Sequence, residues 1–248
     1  MPRPRTPLLS RPRIRDTALA LIDTHGLDAL SMRSLARELG VQAPSLYSHF
    51  PNKDAVLDAV ANLLTRQVDT AGFAHDWRTG LERWGRSYHA ALRAHPRAAP
   101  VVAAGTGRRE DFLAMANAVH GGLLSAGWPP RYATMIAASV KYLVIGAATT
   151  PFASGFADDT RVYLDRHPHL VQAHLIPAHA AEIDQQSFEL ALSSLVAGLE
   201  ATYATVAGGT ADAPTSGTAT TGTDAAADTD TAADSTAGTT TEANTRPT

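Results

Sequence analysis

Apolar residues along this chain recur at intervals of three and four, the spacing of one face of an α-helix. Alternating β-branched runs bounded by Asn-Gly or Asp-Gly, which indicate β-hairpins, are missing. The pattern therefore predicts an all-α fold. The expected helices cover about residues 11–25, 31–39, 43–50, 52–70, 76–94, 108–126, 130–149, 160–175 and 184–206, with breaks at Pro96, Pro129, Pro151 and Pro177.

The second and third of these helices are short, and a turn at Gly40 joins them. Ser31 is a suitable N-cap for the second helix, and Leu30 with Leu35 can form a hydrophobic staple around it. Two short helices joined by a glycine-containing turn are typical of a helix-turn-helix. We therefore predict this motif at about residues 31–50, within a three-helix DNA-binding domain of residues 11–57.

The third helix has two chemically different faces. Leu46 and Phe50 lie four residues apart and are expected to point inward. The outward face carries Gln42, Ala43, Ser45, Ser48 and His49. Pro44 is tolerated because first-turn amides have no partner within the helix. Small outward residues would let the backbone approach DNA bases, while Tyr47, His49 and Lys53 could reach the flanking phosphates.

The charge distribution supports this location for a DNA site. The formal net charge is −3, but residues 1–53 hold eight Lys/Arg against four Asp/Glu, for a local charge of +4. The absence of cysteine excludes disulfides, thiolate metal sites and cysteine nucleophiles. Neither a glycine-rich phosphate loop, nor a Gly-x-Ser-x-Gly elbow, nor a His-Glu-x-x-His motif is present, so we expect no enzyme.

The two ends of the chain differ from its middle. Residues 1–10 form a basic arm that we expect to be flexible, either entering the DNA minor groove or remaining solvated. Residues 208–248 are built almost entirely from Thr, Ala, Gly and Asp, and they are expected to be a disordered acidic tail. This tail could restrain DNA binding, hold a partner, or simply increase solubility.

The segment GLDALSMRSLARELGVQAPSLYSHFPNKDAVLDAV, residues 26–60, resembles the DNA-binding domain of the TetR family of bacterial transcriptional regulators. Its most specific part is Leu-Tyr-x-His-Phe-x-Asn-Lys, residues 46–53, and the helix pattern downstream is similar to the tetracycline-repressor branch. The resemblance implies that Ser31 and Arg33 contact a phosphate and a base. It also implies that Gln42, Ala43, Pro44 and Ser45 read bases, and that Tyr47, His49 and Lys53 clamp phosphates.

The resemblance further implies a homodimer that binds a near-palindromic double-stranded DNA operator, with residues 58–207 as a helical regulatory and dimerisation domain. Phe188, Leu192, Leu195 and Leu199 form an apolar stripe for the dimer interface, to which residues 131–149 could contribute. The same periodicity would suit a helix in the core of one chain, so that alternative stays open.

A regulatory domain of this kind would enclose an apolar ligand pocket. The candidate lining residues are Trp84, Tyr88, His89, Met115, His120, Trp128, Tyr142 and Phe152, and each could equally be an ordinary core or surface residue. Asp69, Trp84, Tyr88 and Val102 match positions where the tetracycline-repressor branch holds the drug–magnesium complex. Because the metal-binding histidine is absent from these positions, we do not expect tetracycline–magnesium as the ligand.

Four histidines, His167, His169, His174 and His179, lie near Glu182. Prolines interrupt them and their spacing is not a recurring ligand pattern, so we predict a polar loop near the pocket mouth, no metal site and no cofactor. We found no apolar run of roughly 18 residues and no secretory signal, so no membrane partner is expected and the location is cytoplasmic, at the nucleoid.

These observations predict a homodimeric repressor that a small apolar or amphipathic ligand, its unknown effector, releases from the operator. The alternative is a DNA-binding regulator without a small-molecule effector, controlled by a protein partner or by its acidic tail.

Overall fold

A computed structural model describes residues 9–104, 109–163 and 167–209. Most of the predicted basic arm and acidic tail lies outside these residues. The helices are α1 (Arg11–His25), α2 (Met32–Leu39), α3 (Ala43–Tyr47), α4 (Lys53–Thr65), α5 (Trp77–Ala94), α6 (Ala99–Ala103), α7 (Glu110–Ser125), α8 (Pro130–Thr149) and α9 (Ala180–Gly209). Short 3₁₀ turns connect several of them, and the described residues contain no strand. The all-α prediction is confirmed.

Helices α1 to α4 form the N-terminal unit. Ser31 caps α2 as predicted: its hydroxyl accepts from the Ser34 amide at 3.0 Å, and its own amide donates to Ser34 Oγ at 2.9 Å. Gly40 ends α2 with φ +69°, a left-handed conformation that favours glycine. Leu46 and Phe50 are buried in a core shared with α1 and α4. Their inward orientation is confirmed.

The structure corrects several boundaries. Helix α3 ends at Tyr47, with Ser48 as its C-cap, so the expected extension to Phe50 is wrong. Helix α4 ends at Thr65, earlier than expected, and the short α6 was not predicted. The predicted helix over 160–175 is wrong for its described part, which forms 3₁₀ turns at Thr160–Val162 and Ala173–His179. Its apolar residues Leu170, Val171 and Leu175 are exposed and offer no core face.

Helix α5 is the centre of the larger unit, where it contacts α7, α8 and α9. Its buried face includes Leu81, Trp84, Tyr88 and Leu92. At one end of α5, Trp77 meets Trp128 edge to face at 5.4 Å between ring centroids, and Trp128 meets Tyr203 of α9 at 4.9 Å. These aromatic contacts hold α9 and the α7–α8 connection to the start of α5.

Helix α8 is long and apolar enough to cross a membrane by length and composition, with a mean hydropathy of 1.3. The sequence-based expectation of no such segment therefore needs correction. Its inner face, Ala133, Ile136, Val140, Val144 and Ala148, is buried within this chain. These residues follow the spacing of one helical face and belong to the core that contains α5 and α9.

The connection between α4 and α5 is anchored by the ring of Phe73. This ring lies between Gly80 of α5 and Gly122 of α7, where an added Cβ would come within 2.3 Å and 2.5 Å of it, respectively. The neighbouring Asp69 accepts from Arg83 at 2.6 Å, and the Asp69 amide donates to Ser87 Oγ at 2.8 Å. The segment that follows α4 is thus fixed to the regulatory core by both packing and hydrogen bonds.

We predict that Gly122→Ala lowers the free energy of unfolding by about 1–3 kcal/mol, because the methyl group would overlap a ring that Gly80 prevents from moving aside. Chemical denaturation measures this change. Gly121→Ala is the matched control, since no atom lies within 4 Å of its added Cβ. That control should be neutral or stabilising by up to about 1 kcal/mol from helix propensity. Equal effects at both positions would contradict the role of the Phe73 ring.

Candidate DNA-reading surface and effector site

Hydrogen-bond donors from three helices meet at one shallow depression on the N-terminal unit. Ser31 and Arg33 come from the start of α2, Ala43 and Tyr47 from α3, and Lys53 from the first position of α4, with Met32 between them. Tyr47 is exposed, and no acidic residue lines the depression. A guanidinium, an ammonium and a phenol arranged in this way suit a phosphate group of DNA.

The rest of the predicted reading residues lie around α3. Gln42, Pro44 and Ser45 are exposed at its start, where base contacts were expected, and His49 is half-buried just beyond its end. Arg11 of α1 fixes that end: its guanidinium lies 4.1 Å from the centroid of the Phe50 ring and donates to the His49 carbonyl. The short α3 is thereby held at its far end while its first turn stays accessible.

Polar contacts tie the N-terminal unit to the larger one through α4. Arg109, just before α7, donates to Asp58 of α4 at 2.8 Å and to the Val101 carbonyl of α6 at 2.6 Å. Just after the end of α4, about two turns from Asp58, Arg66 pairs with Asp111 of α7 at 2.9 Å. Sequence reasoning missed these contacts, because the partners are 45 and 51 residues apart and no motif links them.

A second connection joins α1 to the segment after α5. His95 Nδ1 lies 2.7 Å from the Asp23 carboxylate. Arg97 donates to the Asp23 carbonyl at 3.0 Å and to the Thr24 carbonyl. Arg97 thus supplies hydrogen-bond donors to carbonyls at the C-terminal end of α1, which have no partner within the helix. A cation is also favourable at this end of a helix. Two helices of the reading unit are therefore bonded to the regulatory unit.

The eight candidate pocket residues differ in burial. Trp84, Tyr88, His89, Met115 and Trp128 are buried, whereas His120 is half-buried. Tyr142 and Phe152 are 74% and 67% exposed, so these two lie on the surface of the single chain. Trp84 and Tyr88 are neighbours on α5, with ring centroids 6.4 Å apart. Within the part of the chain that the structure describes, the Trp84 indole nitrogen and the Tyr88 hydroxyl have no hydrogen-bond partner.

Burial raises the pKa of Tyr88 to about 12, and the nearby positive charge of Arg109 opposes this rise. The phenol is therefore a neutral donor at physiological pH. Burial lowers the pKa of His89 to about 4, with a smaller contribution from Arg93, while Glu189 acts in the opposite direction. The neutral His89 ring stacks on Phe188 of α9 at 3.8 Å between centroids and joins α5 to α9.

The histidine-rich segment borders an open cleft of about 600 Å³ at the start of α9. His169, His179 and Glu182 are among its lining residues, but His179 Nδ1 lies 3.9 Å from Glu182, beyond ordinary hydrogen-bond distance. In the part of the chain that the structure describes, no three histidine or carboxylate side chains come together as metal ligands.

The predicted dimer stripe needs correction at two of its four positions. Phe188 and Leu192 are 1% and 0% exposed within a single chain, because they pack against α5. Leu195 and Leu199 are half-buried against the same core. The large apolar side chains that α8 and α9 expose are instead Met135, Tyr142 and Leu190. Added Cβ atoms at Gly146 and Gly198 would meet open space.

Comparisons with known proteins follow this division into two units. Residues 14–60 match the family model of bacterial regulatory proteins, tetR family, and residues 73–203 match the tetracyclin repressor-like C-terminal domain. The chain is 33% identical over 198 residues to the class G tetracycline repressor protein of Vibrio anguillarum, covering 76% of this chain and 92% of that protein. It is 34% identical over 192 residues to the class A protein from transposon 1721 of Escherichia coli, covering 73% and 86%.

Solved structures show the same fold. A possible TetR family transcriptional regulator from Streptomyces coelicolor A3(2) aligns with a TM-score of 0.66 at 31% identity, over 78% of this chain and all of the other. ActR of Streptomyces coelicolor in complex with actinorhodin aligns at 0.62 and 27% identity, over 79% and 97%. A Q116A variant of TetR from Acinetobacter baumannii AYE in complex with minocycline aligns at 0.59 and 28%, over 78% and 97%.

We predict that His89 makes folding sensitive to acid. Because its pKa is lower in the folded chain than the usual 6.5, the unfolded chain binds more protons between pH 6.5 and about 4. The free energy of unfolding should therefore fall as pH decreases through this range, by up to about 3 kcal/mol in total. Denaturant titrations at pH 7 and pH 5 measure this loss.

His89→Leu should reduce that pH dependence, whereas His75→Gln, at an exposed position, should preserve it. If both variants retain the full dependence of the original chain, another group is responsible.

Proposed function

The chain belongs to the tetR family of bacterial regulatory proteins, and from that premise we propose that it is a homodimeric repressor released from its operator by a small apolar or amphipathic ligand. As a member of this family with a tetracyclin repressor-like C-terminal domain, it is a DNA-binding transcriptional repressor. We place its action in the cytoplasm, on DNA at the nucleoid, and we assign it binding chemistry and no catalytic step.

The observation that carries this proposal is the convergence of Arg33, Tyr47 and Lys53 at one depression beside the start of α3. Each donor can hold a phosphate, and together they would fix the register of α3 in the major groove. Gln42, Ala43, Pro44 and Ser45 would then face base edges, with Ser31 and His49 at the flanking backbone. The small residues at this end allow close approach of the helix to the bases.

A dimer would present two such surfaces to a near-palindromic operator, doubling the contacts that a single short helix can make. The outer surface of α8 and α9 supports this arrangement, because Met135, Tyr142 and Leu190 are large apolar side chains exposed on the single chain. Gly146 and Gly198 would allow a partner helix to approach closely. Leu195 and Leu199 lie at the edge of this surface.

The effector would bind in the regulatory unit, near the buried side chains of Trp84, Tyr88, His89 and Met115. Helix α4 would carry the signal, since it begins with Lys53 at the DNA surface and bonds to the regulatory unit through Asp58 and Arg66. A ligand that favours another position of α4 would shift the protein away from the DNA-binding state. Actinorhodin and minocycline complexes of similar proteins support a small-molecule effector.

We predict that Lys53→Ala weakens operator binding by about tenfold and reduces the dependence of affinity on salt by about one counterion, because one phosphate contact is lost. Tyr47→Phe should weaken binding by a few-fold through loss of a hydroxyl donor. Fluorescence anisotropy with DNA flanking the protein's own gene, across a salt series, measures both effects.

Lys141→Ala is the matched control, because Lys141 is the second of the two lysines and lies over the Phe112 ring in the regulatory unit. Unchanged affinity and salt dependence in Lys53→Ala would show that this depression does not contact DNA. Sequence-selective binding that only Lys141→Ala weakens would place the DNA site elsewhere.

We predict that Leu190→Glu converts the dimer to a monomer at micromolar concentration, because it places a charge in the proposed interface without disturbing the core. Sedimentation velocity measures the oligomeric state. Leu113→Glu, which changes a similarly exposed leucine on α7, should leave the dimer intact. A monomer in the original chain, or a Leu190→Glu dimer of undiminished stability, would contradict the proposed interface.

A further inference from the structure

Three arginines line a small recess between α1 and α4. This arginine recess has a volume of about 220 Å³, and none of the described residues that line it is acidic. Like charges repel one another, so an anion placed between the guanidinium groups would relieve their repulsion. The residues of the recess that concern an anion are Arg11, Arg15, Phe50, Ala59, Asn62 and Arg66.

The described contacts of Arg15 and Arg66 leave donors free for such an anion. Arg15 pairs with Asp16 at 2.7 Å, and Arg66 pairs with Asp111 at 2.9 Å. Neither carboxylate lines the recess. A guanidinium has five N–H donors, and these contacts use at most two of them in each arginine. Both side chains can therefore bind a further anion while they keep their present partners.

Arg11 and Asn62 complete the polar lining. The Arg11 guanidinium lies 4.1 Å from the centroid of the Phe50 ring and donates to the His49 carbonyl, so it joins the recess to the end of α3. Asn62 Oδ1 is buried and has no hydrogen-bond partner among the described residues. Because this oxygen is an acceptor, it would pair with a hydroxyl donor of the ligand.

We propose that the arginine recess binds the phosphate group of a small molecule. One guanidinium can satisfy a carboxylate through two parallel hydrogen bonds. A phosphate group carries about −1.5 to −2 charges at pH 7 and three strong acceptor oxygens, which suit three guanidinium groups better. The recess is smaller than the roughly 300–1,000 Å³ of sites for drug-sized ligands, so the rest of the molecule is small.

The recess is separate from the depression that we assign to DNA. That depression includes Lys53 at the first position of α4, whereas the recess is lined by Ala59 and Asn62 of the same helix. These two positions lie about 9–14 Å further along the helix axis. An operator phosphate held by Lys53 therefore cannot fill the recess at the same time, which favours a free phosphate compound as its ligand.

Occupation of the recess would weaken DNA binding through α1 and α3. Arg11 belongs both to the recess and to the contacts at the end of α3. A phosphate group would compete with the His49 carbonyl for this guanidinium, and it would add negative charge beside the reading unit. This consequence rests on the proposed function, whereas the binding of phosphate does not.

Titration calorimetry on the full chain, dialysed free of phosphate, tests the site with inorganic phosphate as the probe. Potassium chloride keeps the ionic strength constant. We expect one phosphate per chain with a Kd of about 1 mM or lower, and acetate should bind at least about tenfold more weakly. No binding of phosphate, or acetate bound as tightly, would overturn the proposal.

Arg15→Gln tests the location of the site. It removes one of the three guanidinium groups, so phosphate affinity should fall by about tenfold, while the thermal unfolding temperature without phosphate should be unchanged. Arg37→Gln is the matched control for the loss of one positive charge, because Arg37 is exposed on α2 and lies outside the recess. Undiminished phosphate affinity in Arg15→Gln would contradict the proposed site.

Ala59→Glu is a second test that keeps all three arginines. It places a carboxylate in the recess, so phosphate binding should be lost. The thermal unfolding temperature should not fall, because the new carboxylate can pair with a guanidinium. Phosphate binding by a folded Ala59→Glu variant at the original affinity would show that the ligand lies elsewhere.

Operator binding in phosphate and in chloride, at equal ionic strength, separates this inference from the proposed function. Phosphate should weaken selective DNA binding of the original chain by about threefold or more and have little effect on Arg15→Gln. Unchanged operator affinity in phosphate would refute the link through Arg11. An absence of selective DNA binding, with phosphate still bound, would refute the repressor and leave the phosphate site.

The same assay without phosphate distinguishes a small molecule from the DNA backbone. Arg15→Gln and Arg37→Gln should then bind the operator equally. If only Arg15→Gln binds DNA more weakly, and the original chain binds no free phosphate, the recess holds an operator phosphate and the small-molecule proposal is overturned.

Discussion

Helix α4 is attached both to α1 and to the larger unit, and the rest of the molecule depends on this double attachment. Val56 and Val60 are fully buried beneath α1, in the core that supports α3. Asp58 and Arg66, from other positions of the helix, form ion pairs with residues at the beginning of α7. Because α4 is a short rigid rod, its two attachments cannot move independently. A change of position at Asp58 must therefore be transmitted to Lys53, about one and a half turns away.

The segment after α4 determines where such a movement can occur. Phe73 lies in a notch formed by two glycines, and Asp69 is bonded to Arg83 and Ser87. This end of the connection is close-packed, and close-packed regions resist gradual deformation. The pair between Arg66 and Asp111 has an exposed guanidinium that water can solvate, whereas the guanidinium of the pair between Arg109 and Asp58 is buried and costly to separate from its carboxylate. The chain thus combines a firmly fixed connection with one exposed and one buried ion pair at α4.

The interior of the regulatory unit contains more polar chemistry than its apolar sequence pattern indicates. A neutral histidine stacks on Phe188, the Arg109 guanidinium is buried, and the Tyr88 hydroxyl has no hydrogen-bond partner among the described residues. Groups of this kind are costly in a core and are retained where they bind something or specify a unique arrangement. Here they lie on α5 and next to α7, both of which contact α4. These two helices therefore join the interior of the larger unit to α4.

Local sequence determined the features that depend on neighbouring residues. Helical periodicity, the Ser31 cap, the Gly40 turn and the inward pair Leu46 and Phe50 were all predictable, because residues three or four apart share a helical face. Contacts between distant residues depended on the tertiary structure. The pairing of Arg109 with Asp58 and the burial of Phe188 against His89 follow from how helices pack, which no spacing encodes. An amphipathic helix reveals its apolar side, but only packing decides whether that side meets its own chain or a partner.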